Sequence, residues 1–311
     1  MNLQTELAPR HKSGLLLKNP VMMAAGTFGY GVENAKIAEV QRLGAVISKG
    51  TTFHARKGNA QPRIVETSAG MLNAIGLQNP GVHKVISKYA PIWSTWNTPV
   101  IVNIAGEDID EFVQIAEQLE GVAGVAGIEV NVSCPNVRAG GVVFGADPQA
   151  VFDVSAALRI ATTLPLIVKL SPNTGDVRPT ALAAAEAGAD AVSLINTITG
   201  MRIDTSTRKR TLANGTGGLS GPTVKPIALR MVYEVAQELR VSYPHVPIIG
   251  LGGIGSVNDA LEFLMAGASA IEIGTANFVN PRIGIEIVEG IEAFLEREGV
   301  EDVREIVGVA L

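Results

Sequence analysis

The chain is poor in cysteine, in aromatic residues and in clustered basic charge, and each shortage excludes something. There is one cysteine, Cys134, in 311 residues. An intramolecular disulfide is therefore impossible, which fits a reducing compartment. A four-cysteine iron–sulfur cluster within the chain is excluded as well. The four histidines are His11, His54, His83 and His245. They share no metal-ligand spacing with carboxylates or the cysteine, so no metal site is expected. Aromatics make up 5% of the residues, so the core has to be built from Val, Ile, Leu and Ala. Charged residues are 18% and hydrophobic residues 47%, which excludes a disordered chain. Lys and Arg total 25 against 30 Asp and Glu, a net charge of −5, with no basic cluster. Nucleic acid is not an expected partner. Long apolar runs are missing too. Residues 89–106, about 18 uncharged positions, are interrupted by Pro91, Asn97, Pro99 and Asn103 and cannot span a membrane. Residues 1–6 lack the basic and apolar regions of a secretory leader. A soluble, cytoplasmic protein without membrane association is expected.

Glycine is abundant, 34 of 311, or about 11% against a usual ~7%. Short β-branched runs recur along the chain, beginning near Val21, Val46, Val100, Ile128, Leu166, Ala191, Val246 and Ala270. Their continuous apolar character suits parallel strands covered on both faces. Helical patterns lie between them. Residues 108–119, 147–158, 177–187 and 256–266 carry apolar residues at helical spacing, with Asp147-Pro148 and Ser256 as start signals and Gly267 as a stop signal. The phrases EAGADAV and MAGASAI precede the sixth and eighth strands, an internal echo of one βα unit. The strand starts repeat at about 25 residues, with two intervals of about 54 and 55 after the second and sixth strands. This spacing predicts an α/β protein, a (β/α)8 barrel with two long βα insertions and an N-terminal hairpin capping the bottom, as one domain over residues 1–311. An open doubly wound sheet is the alternative.

The predicted C-terminal strand ends carry Ala25-Gly26, Lys49-Gly50, Asn103, Asn131, Lys169, Ile195-Asn196-Thr197, Gly252-Gly253 and Gly274-Thr275. Lys and Asn are poor strand residues and unfavourable to bury unpaired. One such lysine is commonly a salt-bridged core residue. Two lysines and three asparagines at the active end of a barrel read instead as a polar small-molecule pocket. The last two ends stand where such barrels hold a phosphate on backbone N–H groups. Gly250, Gly252 and Gly255 also spell G-x-G-x-x-G, with Glu272 about 20 positions on. A dinucleotide reading would need this in the first βα unit and the acid at a strand tip. The loop after the fourth strand runs NVSCPNVRAGG from Asn131. A free cysteine is usually an inert hydrophobe. Cys134 follows a strand end and precedes a proline and a glycine pair, so it is a candidate nucleophile or general base. No histidine is well placed to partner it.

At these residues the chain resembles the catalytic, FMN-binding subunit of the dihydroorotate dehydrogenase family. The segments are Lys18-Asn19-Pro20 with GTFGYG (26–31), SKGTT (48–52), GMLNAIGLQNPG (70–81), NVSCPNV (131–137), KLSPN (169–173), INT with GMRID (195–204) and GGLSGP (217–222). The likeness runs from about residue 14 to 281 and is closer to the NAD-linked, two-subunit branch (class 1B) than to the fumarate-linked single-subunit branch (class 1A). Ala25 stands where relatives often carry Ser. The resemblance implies oxidation of dihydroorotate to orotate in pyrimidine biosynthesis, with Cys134 as general base and one FMN per chain as hydride acceptor. It implies Lys49, Asn73, Ala74, Ile75, Gly76, Leu77, Asn131, Asn196 and Thr197 as substrate contacts. It implies Ala25, Lys49, Gly50, Asn103, Asn131, Lys169, Ile195, Gly221, Gly252, Gly253, Gly274 and Thr275 as FMN contacts. Electrons would pass to NAD through a partner subunit carrying FAD and a [2Fe–2S] cluster, on a homodimer core within a heterotetramer. A dihydropyrimidine dehydrogenase-like flavoenzyme, an aldolase or isomerase using Lys169 as a Schiff base, and a non-catalytic barrel remain alternatives on the residues alone.

Overall fold

A computed structural model describes the backbone of residues 1–133, 138–139 and 142–311, and the side chains of residues 1–133 and 145–311. Eight short strands close into a parallel barrel: β1 (Val21–Met23), β2 (Ala45–Ile47), β3 (Val100–Ile104), β4 (Gly127–Asn131), β5 (Leu166–Lys169), β6 (Ala191–Leu194), β7 (Ile248–Leu251) and β8 (Ala270–Ile273). Neighbours follow sequence order, and the ring closes where Ile271 of β8 pairs with Val21 of β1. Seven begin within one residue of the predicted places. β7 begins two residues later than predicted, because Val246 closes a turn onto Tyr243 and Pro247 has no N–H for a ladder bond.

Every residue of the eight barrel strands except Asn131 is buried, the reason the runs show no polar alternation. The helices lie outside the barrel and pack one stripe each against it. Ile109–Leu119 buries Phe112, Ile115, Ala116 and Leu119, the spacing of a single helical face. The capping signals at Asp147 and Ser256 work as read, and the structure adds a third cap at Asp108. Asp108, Asp147 and Ser256 accept hydrogen bonds from the backbone N–H groups of Glu111, Gln149 and Asp259. Each such cap contributes about 1 kcal/mol.

The barrel interior is divided by height. Its lower half is apolar: Met22, Ala45, Ile47, Ile101, Ile167, Ala191, Ile249 and Ala270 form one cluster with Leu7, Ala8, Leu15 and Leu17. The last four belong to the N-terminal hairpin, whose strands Thr5–Glu6 and Leu16–Leu17 pair antiparallel. That hairpin plugs the bottom. The upper half, toward the C-terminal strand ends, holds the buried polar side chains Asn103, Glu129, Lys169, Ser193 and Glu272.

The two long insertions build a single structure. The first supplies strands Ile64–Thr67 and Gly70–Asn73, and the second supplies Ile198–Met201 and Thr216–Ser220. They form one four-stranded antiparallel sheet, with Gly70–Asn73 paired to Thr216–Ser220 across the two insertions. Strand Thr216–Ser220 reads TGGLS, a poor strand sequence. Its glycines are there for close approach. A Cβ on Gly217 would lie 2.6 Å from the Asn73 carbonyl, and one on Gly218 would lie 2.0 Å from Thr197 Oγ1.

Candidate active site

The predicted site residues follow the strand ends around one barrel mouth. Lys49 and Gly50 leave β2, Asn103 is in β3, Asn131 ends β4 and Lys169 ends β5. Ile195, Asn196 and Thr197 follow β6, where the Leu194–Ile195 peptide is cis. Gly252 and Gly253 follow β7, and Gly274 and Thr275 follow β8. Ala25 follows β1 and packs against the interior cluster. Cys134, three positions past Asn131, lies outside the described residues.

The amide residues are brought into one chain of contacts. Asn73 Nδ2 donates to the Gly218 carbonyl at 3.3 Å, and Gly218 lies directly under Thr197. Thr197 N–H donates to Asn196 Oδ1 at 2.8 Å, and Asn196 Nδ2 donates to Asn131 Oδ1 at 3.1 Å. Asn173, in the KLSPN segment, steadies this row by donating to the Thr197 carbonyl at 3.0 Å. Such a row offers a ring ligand both donors and acceptors.

The loop after Asn73 is held from outside. Asn79 is buried and bonds four ways. Its Oδ1 accepts from Thr52 N–H at 3.2 Å and Gly81 N–H at 2.8 Å, and its Nδ2 donates to Thr52 Oγ1 at 2.8 Å and the Leu77 carbonyl at 2.7 Å. Leu77, at φ +53°, leans on Gly50. Ala74 differs from its neighbours. Its side chain joins Leu72 and Leu212 in the core of the insertion sheet, its N–H donates to the Arg63 carbonyl, and its carbonyl accepts from Asn59 Nδ2. The Ile75 carbonyl is taken by Asn59 N–H. These two positions anchor the loop, and Gly76 and Leu77 form its tip.

Two cations stand at the mouth in opposite settings. Lys49 is half-buried, and among the described residues no carboxylate lies within ion-pair distance of it. Burial, then the charge of Arg63, hold its ammonium below the ordinary lysine value. Lys169 is buried between two carboxylates, 3.0 Å from Glu272 Oε2 and 3.5 Å from Glu129 Oε2. Burial alone would lower its pKa, but the two acids outweigh burial and raise it. Glu129 also accepts from Asn103 Nδ2 at 2.6 Å and from Ser193 Oγ at 2.8 Å. An ammonium has three donors. Two are engaged here, and the third has no partner among the described residues. Glu129, Ser193 and Asn79 were not among the predicted site residues. Glu272 was considered only as a nucleotide-binding acid, and its bond to Lys169 inside the barrel excludes that use.

The loops after β7 and β8 form a cradle. Gly252 and Gly253 have φ of +131° and +77°. A Cβ on Gly253 would lie 2.8 Å from the Gly221 carbonyl, and Thr275 Oγ1 donates to Ser220 Oγ at 2.8 Å. Both loops therefore touch the segment Ser220-Gly221 that ends the second insertion. Among the described residues, no acceptor of the chain takes the backbone N–H groups of Gly252, Gly253, Gly274 or Thr275. Unpartnered backbone donors on two loops that touch one segment are the donor set a phosphate requires.

A fold of this kind hosts many activities, so family has to come from closer likeness. The family model described as dihydroorotate dehydrogenase matches residues 10–295. The chain belongs to the dihydroorotate dehydrogenase family. It is an oxidoreductase, and the family's reaction, the oxidation of dihydroorotate in pyrimidine biosynthesis, is its reaction. A protein of Geotalea uraniireducens (strain Rf4) is 52% identical over 299 residues, 96% of each chain. One of Pelobacter propionicus (strain DSM 2379) is 54% identical over 296 residues, 95% of this chain and 96% of that protein. One of Thermoanaerobacter pseudethanolicus (strain ATCC 33223) is 50% identical over 308 residues, 99% of this chain and 98% of that protein. All three are named dihydroorotate dehydrogenase B (NAD(+)), catalytic subunit. Proteins of that name are flavoenzymes, and the words "catalytic subunit" imply a second subunit beside them. Among the described residues, no helix is long and apolar enough to cross a membrane.

Proposed function

We propose that this chain is the FMN-binding catalytic subunit of an NAD-linked dihydroorotate dehydrogenase, working as one barrel domain over residues 1–311 in the cytoplasm. The observation that carries the reading is that one barrel mouth holds both the row of amides from Asn73 to Asn131 and the unpartnered N–H groups of the β7 and β8 loops.

The N–H groups of Gly252, Gly253, Gly274 and Thr275 would hold the FMN phosphate, with Gly221 closing the cradle. Ala25, Gly50, Asn103, Asn131 and Ile195 would line the flavin, and Lys169 would supply a cation beside it. A cation fixed there favours the negative charge that gathers on reduction. When bound, the flavin supplies the acceptor for the hydride leaving C6 of dihydroorotate. The chain's own residues do the rest. Asn73, Asn131, Asn196 and Thr197 hold the substrate ring flat by its amide edges, and Gly76 and Leu77, braced by Ala74 and Ile75, cover it. Lys49 is a cation partly stripped of water and gains from an anionic partner, which the substrate carboxylate provides. Cys134 removes the C5 proton, which the neighbouring carbonyl already acidifies; a thiol near its ordinary pKa suffices as base.

Electrons leave through a partner subunit carrying FAD and a [2Fe–2S] cluster, in a heterotetramer around a homodimer of this chain. The test uses the isolated chain. It should release FMN, one per chain, on denaturation and bleach when dihydroorotate is added. It should make no NADH from dihydroorotate until the partner is supplied. Released FAD, or NADH formed by this chain alone, would remove the reading, and efficient turnover with fumarate would assign the chain to the single-subunit branch.

A further inference from the structure

Three charged side chains are buried among the described residues, Glu129, Lys169 and Glu272, and all three belong to one cluster. Two carboxylates and one ammonium, all ionised, would leave a charge of −1 in a buried barrel core. An uncompensated charge is among the most unfavourable things a core can hold. The donors within reach are unequally shared. Glu129 takes Asn103 Nδ2, Ser193 Oγ and Lys169 Nζ. Glu272 takes Lys169 Nζ, and its Oε1 is buried with no donor among the described residues. Its register neighbours on β7 and β1 are Leu251 and Met22, which donate nothing. The Glu129 carboxylate shares the Lys169 ammonium with it and is, with that ammonium, the charged group that acts on it.

We propose that Glu272 is a neutral carboxylic acid in the working protein, sharing its proton with Glu129, and that it positions the Lys169 ammonium without cancelling its charge. The oxygen left without a donor becomes a donor itself once protonated, and the cluster becomes neutral. Burial and the Glu129 charge push Glu272 in the same direction, well above the ordinary carboxyl value. With both acids ionised, the net negative charge would oppose reduction of a flavin held by Lys169. That consequence rests on the FMN reading, whereas the protonation rests on the cluster alone.

The experiment is infrared spectroscopy of the purified holoprotein at neutral pH, made with and without carboxyl-13C glutamate. A carboxylic C=O band that moves with the label is expected. Flavin carbonyls do not move with it. The band should vanish in Glu272→Gln. It should vanish also in Glu129→Gln, where Glu272 faces the ammonium with no competing acid. Absence of the band in the wild-type protein overturns the proposal even if neither variant folds, and its persistence in either variant does so too. Stability gives an independent reading. In the unfolded chain Glu272 titrates near 4.5, so above that value unfolding releases its proton and stability falls as pH rises toward the folded value. Glu272→Gln should remove this contribution, flattening the dependence of unfolding free energy on pH by about one proton. Equal slopes in the two proteins overturn the proposal. Neither readout needs the flavin to be FMN.

Discussion

Replacing Gly218 with alanine puts a methyl group where the amide row meets the insertion sheet. The new Cβ would lie 2.0 Å from Thr197 Oγ1, 2.6 Å from its Cβ and 3.3 Å from its Cγ2. Real Cβ atoms essentially never come within 3.0 Å of another heavy atom, so the first contact is about 1 Å too short. Thr197 cannot slide away freely, because its N–H is bound to Asn196 Oδ1 and its carbonyl to Asn173 Nδ2. Either the hydroxyl leaves the pocket or strand Thr216–Ser220 lifts from its neighbours and breaks the Asn73–Gly218 bond. Overpacking of this kind costs about 1–3 kcal/mol, and the lost hydrogen bond adds about 1 kcal/mol. Falling on the pocket, the same range weakens ligand binding about 5–150-fold. Orotate titration followed by the flavin absorbance should show the loss, with a lowered melting temperature. All three nearest atoms belong to Thr197. The double variant Thr197→Gly, Gly218→Ala should therefore recover stability relative to Gly218→Ala, a coupling of about 1 kcal/mol or more. Wild-type orotate affinity and melting in Gly218→Ala would refute the reasoning, as would a double variant no more stable than the single one.

Three further outcomes are expected. Cys134→Ala should bind orotate yet slow flavin reduction by ~10²–10⁴, and Cys134→Ser should regain part of the rate at high pH; near-normal stopped-flow reduction in the alanine variant would remove the base assignment. Asn79→Ala leaves buried groups of Thr52 and Gly81 without partners, at about 1–3 kcal/mol each. It should raise KM for dihydroorotate more than it lowers kcat, and steady-state kinetics with an unmoved KM would contradict its part in holding the loop. Gly253→Ala forces a side chain to φ +77° against the Gly221 carbonyl; flavin content after gel filtration should fall well below one per chain, and full retention would remove the cradle from phosphate binding.

The barrel was legible because its periodicity is local. A run such as Val100–Ile104, buried on both faces, announces itself without knowledge of its partners. Capping residues act within three positions of themselves, so Asp147 and Ser256 could be read in the same way. The insertion sheet was hidden because its pairing joins residues 70–73 to 216–220, and what permits it is the lack of side chains at Gly217 and Gly218. Glycine-rich segments signal a loop unless the atom that needs the space is known. Asn79 was hidden for a related reason. It lay inside a recognised segment, but its four bonds depend on Thr52 lying beside it, and they are made 27 positions away or within its own turn.

The charged cluster was concealed differently, since its signal was present and pointed elsewhere. Glu129 stands between Ile128 and Val130, and Glu272 between Ile271 and Ile273. A carboxylate flanked in this way on a strand of a parallel barrel has no route to water, because helices cover the outer face and the other strands enclose the inner one. Each such residue therefore requires a buried partner. Lys169, at the end of β5, is the one cation the same reasoning places inside. Counting the interior charges by strand pattern leaves two acids for one base before any coordinate is known. The contacts then decide where the imbalance rests: on Glu129, which three donors satisfy, or on Glu272, which has one. A lysine read only as a flavin contact is thus also the centre of the barrel's electrostatics. Removing it by Lys169→Ala would leave two acids facing each other with no cation between them, so a loss of flavin in that variant would not by itself prove direct contact.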